Sequence, residues 1–243
     1  MKKIFSILST IIFLFTVRCS YALSFGVGKI ENNQRPIIPY QKIIEDNNGY
    51  YLGKDEKKLY LTFDCGYENG YTHEILKTLK KYDVKATFFI TGHYLTSSTD
   101  LVKEMVNDGH IIGNHTYHHK HFTNESTSEM LEDIRKLEDK YQDLIGSELP
   151  SFVRPPAGEF DERSLKTLKD KNYKTIFWSL AYVDWYKDKF YGNDYSYNNV
   201  MKRLHNGAII LMHSVSKDNM VDLDKILSTL IRNGYLFDSL ENL

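Results

Sequence analysis

Six side chains of acid–base or metal-ligand type stand just behind short apolar runs in this chain. Asp64 follows Leu61-Thr62-Phe63, and His115 follows Ile111-Ile112-Gly113-Asn114 with His119 four residues on. Arg154 follows Phe152-Val153, Asp184 lies beyond Phe177-Trp178-Ser179, and His213 follows Ile209-Ile210-Leu211-Met212. The four-residue step from His115 to His119 would put both imidazoles on one face of a helical turn, a spacing suited to zinc. Each residue also has a plain reading. Asp64 could cap a strand end, Arg154 could serve a structural ion pair, and His213 could be a buried, hydrogen-bonded histidine. Trp178 and Trp185 suit a core as well as a sugar platform. Four of the nine histidines crowd into 115–121, so His118 and His121 are read as surface or supporting groups. The constellation carries the argument, because chance does not readily deliver five strand ends of this kind to one rim.

The elements that must position these groups follow from the periodicity. Seven apolar runs read as strands: Leu59–Asp64, Ala86–Thr91, Ile111–Asn114, Phe152–Arg154, Thr175–Ser179, Ala208–His213 and Tyr235–Phe237. Helical patterns lie between them. Ile75, Leu76, Leu79 and Tyr82 share one face, and Leu101, Val102, Met105 and Val106 another, before the stop signal Gly109. Ser126 and Glu129 form a capping box, and Asp161 caps the helix carrying Leu165 and Leu168. Strands alternating with helices argue for a parallel α/β sheet or barrel, in which chemistry collects at the C-terminal ends of the strands. Leu23 to Lys57 has no sustained periodicity and reads as an arm over 23–57, ahead of a domain over 58–243.

Composition narrows the function classes. Among 243 residues, 31 basic and 32 acidic side chains leave a net charge of −1, without the basic face that nucleic acid requires. Cys19 and Cys65 are the two cysteines, too few for a disulfide framework. Lys2 and Lys3, the apolar run Ile4 to Val17 and the small residues Ser20 and Ala22 read as an export signal over 1–22, or as an uncleaved anchor. The protein is therefore expected outside the cytoplasmic membrane.

The set Thr62-Phe63-Asp64, His115-Thr116-x-x-His119, Arg154-Pro155-Pro156-x-Gly158, Asp184-Trp185 and Leu211-x-His213 resembles the five motifs of the polysaccharide deacetylases, carbohydrate esterase family 4 or the NodB-homology fold. The segments Thr62–Thr72, Ile111–His119, Phe177–Trp185 and Gly207–Asn219 are similar in particular to the delta-lactam-biosynthetic de-N-acetylases of spore-cortex peptidoglycan. The resemblance implies an α/β fold, a distorted (β/α) barrel with about seven parallel strands, and removal of an N-acetyl group from an amino sugar. It also implies residue roles. Asp64 would be the general base, paired to Arg154, and His213 the proton donor, tuned by Asp184. His115 and His119 would hold a divalent metal, expected to be Zn2+. Ala157, the first residue after Arg154 with a backbone N–H, would serve the oxyanion, and Trp185 would touch substrate. The implied partner is the peptidoglycan glycan strand, with N-acetylmuramic acid as the reacting sugar. An N-acetylglucosamine or chitin-type deacetylase, an amidase and a catalytically inactive glycan-binding homologue are the rival readings. Two departures from the family pattern matter: Cys65 replaces the usual metal-binding aspartate, and Ala181 replaces the first aspartate of the fourth motif. Cys65 is either a thiolate ligand or a small neutral filler.

Overall fold

Alternation along one strand decides which of its side chains enter the barrel and which face the helices. The computed structural model of the chain describes residues 21–28 and 33–243, so the export-signal reading falls almost wholly outside the described residues. Among those described, no helix is long and apolar enough to cross a membrane. The strands in chain order are β1 (Leu23–Ser24), β2 (Gly49–Tyr50), β3 (Lys58–Cys65), β4 (Thr87–Ile90) and β5 (Ile111–Asn114). They continue as β6 (Phe152–Val153), β7 (Glu159–Phe160), β8 (Lys174–Ile176), β9 (Ala208–His213) and β10 (Leu236–Phe237). All seven strands expected from the sequence are present, within a residue or three of their expected ends. The helices are α1 (Gln41–Asp46), α2 (Thr72–Lys81), α3 (Gly92–Ser97), α4 (Thr99–Asn107), α5 (Thr127–Ile145), α6 (Glu162–Asp170), α7 (Tyr195–Arg203) and α8 (Lys217–Arg232).

β3 lies at the centre, paired in parallel to β4 and β10 along one edge and to β9 along the other. From β4 the parallel path runs through β5, β6 and β8 to β2. The curled sheet closes where the chain beyond β8 meets β9. There Leu180 bridges Ile210, and the Leu211 N–H donates to the Leu180 carbonyl at 2.9 Å. The result is a distorted (β/α) barrel. β2 was not foreseen, because an Asn-Asn-Gly turn signal hides a two-residue strand whose pairing partner, Thr175–Ile176 of β8, is distant in sequence. Part of the expected arm thus belongs to the sheet.

Even-numbered residues of β3 point inward. Tyr60 joins Phe89, Phe152, Ile176 and Ile209 in one buried cluster contributed by successive strands. Leu59, Leu61, Phe63 and Cys65 point outward, into the larger cluster shared with Ile75, Leu79, Ile226 and Leu230 of the helices. With both faces covered, β3 is buried from Leu59 to Cys65, the continuous apolar pattern of a parallel strand. Phe89 fills the barrel so completely that a Cβ on Gly113 would stand 2.5 Å from its ring. Capping follows the sequence. Ser126 and Glu129 close the box at the start of α5, Gly146 ends it with φ 86°, and Asp161 accepts from the Ser164 N–H to start α6.

Candidate active site

The C-terminal ends of the strands open into a cleft of about 930 Å3, lined by Asp64, His115, His119, Ala157, Trp185 and His213 among others. That volume suits a small-molecule or glycan segment. Asp64 closes the inward row of β3, and Arg154 continues the inward row of β6. Arg154 is fully buried, with its guanidinium 4.1 Å above the Phe89 ring. Its Nη1 donates to Asp64 Oδ1 at 2.7 Å, Nε to the Ile176 carbonyl at 3.1 Å and Nη2 to the Phe177 carbonyl at 3.2 Å. The guanidinium is thus fixed by the barrel wall before it meets the carboxylate. Burial alone would push the Asp64 carboxyl up, but the charge of Arg154 above all, with its hydrogen bond, outweighs it and holds the pKa below the ordinary value.

His115 and His119 do meet, with ring centroids 4.8 Å apart. A helical turn is not what joins them. Residues 115–121 form an irregular loop in which Thr116 and His119 have positive φ, 63° and 56°. Asn114 organises it, its Oδ1 accepting from the Thr116 N–H at 2.8 Å and its Nδ2 donating to the Ile134 carbonyl at 3.0 Å. The Thr116 hydroxyl oxygen then accepts from the His119 N–H at 3.0 Å. His115 Nδ1 donates to the Arg154 carbonyl at 2.9 Å, which leaves the Nε2 lone pair free toward the cleft, 3.4 Å from Asp64 Oδ2. Burial lowers the pKa of both imidazoles, that of His119 to about 4, which favours the neutral form that binds metal. Neutral imidazoles side by side fit a divalent metal, and the Arg154 carbonyl behind His115 fixes its tautomer as a supporting acceptor should.

Cys65 does not join them. One residue past Asp64, it points to the outer face of β3, lies in the helix-facing core and is absent from the cleft lining. Burial pushes its thiol pKa far up, so the thiolate that metal binding needs is disfavoured. The expectation of a Cys-His-His site is corrected by the two-residue period of the strand. Among the described residues no group of three or more His, Cys, Asp or Glu side chains is set to hold a metal ion. A cation on the histidine pair would complete its shell with solvent or substrate.

Beside Asp64, at the end of the neighbouring strand β9, stands a dyad. His213 Nδ1 donates to Asp184 Oδ1 at 2.7 Å, and the His213 backbone N–H donates to Oδ2 at 2.8 Å. Burial would lower the His213 pKa, but the Asp184 carboxylate outweighs it and the net shift is upward. Ala157 lies in a tight turn with φ 54° and ψ 12°, a left-handed backbone unusual for alanine, at the cleft wall. Trp185 is half exposed, its ring 6.0 Å from that of His213. Of the supporting histidines, His118 lines the rim and is bound by Asp133, while His121 pairs with Glu159 at 2.9 Å.

The sequence reading missed Phe25, Tyr67 and His93 in the lining. Phe25 arrives from the segment without periodicity. The β1–β7 pair fixes it, and it stacks on Phe177 with centroids 4.5 Å apart. Tyr67 stands two residues beyond Cys65 and is exposed, which marks it as a contact candidate in hindsight.

Acid–base groups gather at the mouth of the (β/α) barrel, and the family match makes the protein a hydrolase acting on amide bonds. Residues 52–176 match the polysaccharide deacetylase family, and the chain belongs to that family. It is 40% identical over 224 residues to the peptidoglycan-N-acetylmuramic acid deacetylase PdaA of Bacillus subtilis, covering 91% of this chain and 85% of that protein. The solved structure of PdaA, a family 4 carbohydrate esterase, has a TM-score of 0.88 at 39% identity, covering 91% of this chain and 96% of that one. A family 4 carbohydrate esterase from Bacillus anthracis gives a TM-score of 0.77 at 38% identity, over 92% of this chain and 96% of that one. A peptidoglycan-N-acetylglucosamine deacetylase of Bacillus cereus is 38% identical over 187 residues, 75% of this chain and 66% of that protein.

Proposed function

We propose that the protein is an exported, metal-dependent peptidoglycan deacetylase acting on N-acetylmuramic acid, and that the freed amine enters muramic delta-lactam formation in spore cortex. The observation that carries this reading is the pair of proton-handling groups set side by side at the ends of β3 and β9, where Asp64 and His213 are register partners. Arg154 favours the ionised form of Asp64 beside the histidine pair, and Asp184 favours the protonated form of His213. The 40% identity to PdaA over most of both chains supports the choice of sugar.

An amide is a poor electrophile and its amine a poor leaving group, so both ends need help. Asp64 Oδ2, free of Arg154, takes a proton from water as its oxygen attacks the acetyl carbon. The Ala157 N–H, presented by the left-handed turn, receives the carbonyl oxygen as charge develops. His213 Nε2 gives its proton to the sugar nitrogen as the C–N bond breaks, releasing acetate and a free amine. His115 and His119 would hold a divalent metal, Zn2+ by ligand type, which when bound polarises the carbonyl and acidifies water. Trp185 offers a stacking face to the sugar at the rim.

Acetyl loss from N-acetylglucosamine instead is the second reading, favoured by the similarity to the Bacillus cereus enzyme of that name. Mass spectrometry of digested peptidoglycan, from peptide-free and peptide-bearing strands, with and without chelator, decides between them. Muramic acid that has lost its acetyl group supports the proposal. Deacetylation confined to glucosamine, or release of peptides alone, sinks it.

A further inference from the structure

Behind the His213–Asp184 dyad lies a side chain whose hydrogen-bonding capacity is entirely used. Asn219, the third residue of α8, is fully buried. Its Nδ2 donates to Asp184 Oδ2 at 2.7 Å and to the His213 carbonyl at 3.0 Å. Its Oδ1 accepts from the Tyr182 hydroxyl at 2.7 Å and from the Ser196 hydroxyl at 2.7 Å. A carboxamide has two N–H donors and two acceptor sites, and here each has a partner. The opposite amide orientation would set oxygen against the Asp184 oxygen and the His213 carbonyl, so the network admits one orientation only.

We propose that Asn219 is the positioning residue of the proton-donor dyad. The inference rests on the reading of His213 as proton donor. With Asn219 and the His213 N–H both on Oδ2, the Asp184 carboxylate cannot rotate, and Oδ1 stays on the imidazole. The second Nδ2 bond ties down the His213 backbone itself, so one amide fixes both partners. Tyr182, from the loop after β8, and Ser196, from α7, hold Asn219 from behind, and the Ser216 hydroxyl accepts from its backbone N–H at 3.3 Å. Charge-assisted bonds in a buried site are the ones whose loss is felt most, because the carboxylate has no water to replace them. The other titratable groups around the cluster are Tyr195 of α7 and Asp222 of α8, with Asp64 on the adjacent strand β3 and Arg154 behind it.

Asn219→Asp keeps the shape and separates positioning from mere helix support. The oxygen that replaces Nδ2 faces two acceptors and must carry a proton to bind even one of them, Asp184 Oδ2 being the stronger. Acetate release from peptide-free glycan strands should then stay near the wild-type rate at acidic pH. It should fall by about tenfold or more, at a pH where the wild type is fully active, once that proton is lost. KM should stay within about twofold, since the sugar does not touch Asn219. A profile superimposable on wild type, or an equal loss at every pH, overturns the inference. Should Asn219→Asp not fold, Tyr182→Phe and Ser196→Ala each remove one anchor without touching Asp184. Each should lower kcat several-fold with KM unchanged, and an unaltered kcat in both overturns the inference. A wild type that releases no acetate with any added metal overturns the functional reading and this inference together, whereas an active wild type with indifferent variants overturns this inference alone.

Discussion

Arg154 donates to one oxygen of Asp64 at 2.7 Å and leaves the other facing the histidine pair. The guanidinium is wholly buried, and its remaining bonds go to two carbonyls of the barrel wall. The pair is therefore part of the frame as well as of the chemistry.

Asp64→Asn should preserve the frame and remove the base. The amide oxygen can still accept from Arg154, so the far-ultraviolet spectrum should be unchanged, while acetate release should fall by roughly 10²–10⁴-fold. Retention of most activity would remove Asp64 from the mechanism.

Arg154→Met should leave a carboxylate buried without its counter-charge. A loss of about 3–5 kcal/mol in unfolding free energy is expected near neutral pH, read from denaturant titration. The loss should shrink as the pH falls and Asp64 takes up a proton. A variant as stable as wild type would show that the pair contributes nothing to the fold.

The His213 pKa is raised above 6.5, so the folded protein holds this proton more tightly than the unfolded chain. Its contribution to stability is complete below the unfolded value and is lost as pH rises through the folded one. Activity follows the same sign, because the donor must carry its proton. Asp184→Asn removes the raising charge while burial remains, so the alkaline limb of kcat should move to lower pH. A limb that stays in place would assign it to another group.

Cys65→Ala should leave zinc stoichiometry and kcat unchanged, since the thiol lies on the far side of β3 from the cleft. The cost should appear in stability, about 1 kcal/mol for the small cavity. Reduced metal binding by this variant would restore Cys65 as a ligand.

How much of this was legible beforehand depended on where the signal lay. The buried runs of β3, β5 and β9 announce themselves in sequence, and each strand-end residue they deliver reaches the same mouth. Asp64, Arg154 and His213 could be read as strand-end groups because the period of a strand needs no tertiary knowledge, whereas Asp184 lies in the loop between β8 and α7 and was placed by the family likeness. The same period, followed one residue further, would have turned Cys65 away from the site. His115 and His119 were joined by the wrong device. Positive φ at Thr116 and His119 has no sequence signature when neither residue is glycine. Phe25 and β2 were hidden because each takes its place through a partner more than a hundred residues away. Asn219 lies in a segment singled out for its likeness to the family, yet nothing in a lone asparagine near a helix start tells which carboxylate it will hold.

The β1–β7 pairing has a practical consequence for handling the protein. Because Leu23 and Ser24 are paired with β7 and Phe25 lines the cleft, an affinity tag joined directly ahead of Leu23 would begin two residues from the cleft lining. Leu243 lies at the other end of the barrel, among Tyr50, Tyr60 and Asn242. A tag appended there leaves the opening clear, and purification from that end is the arrangement under which activity should be judged.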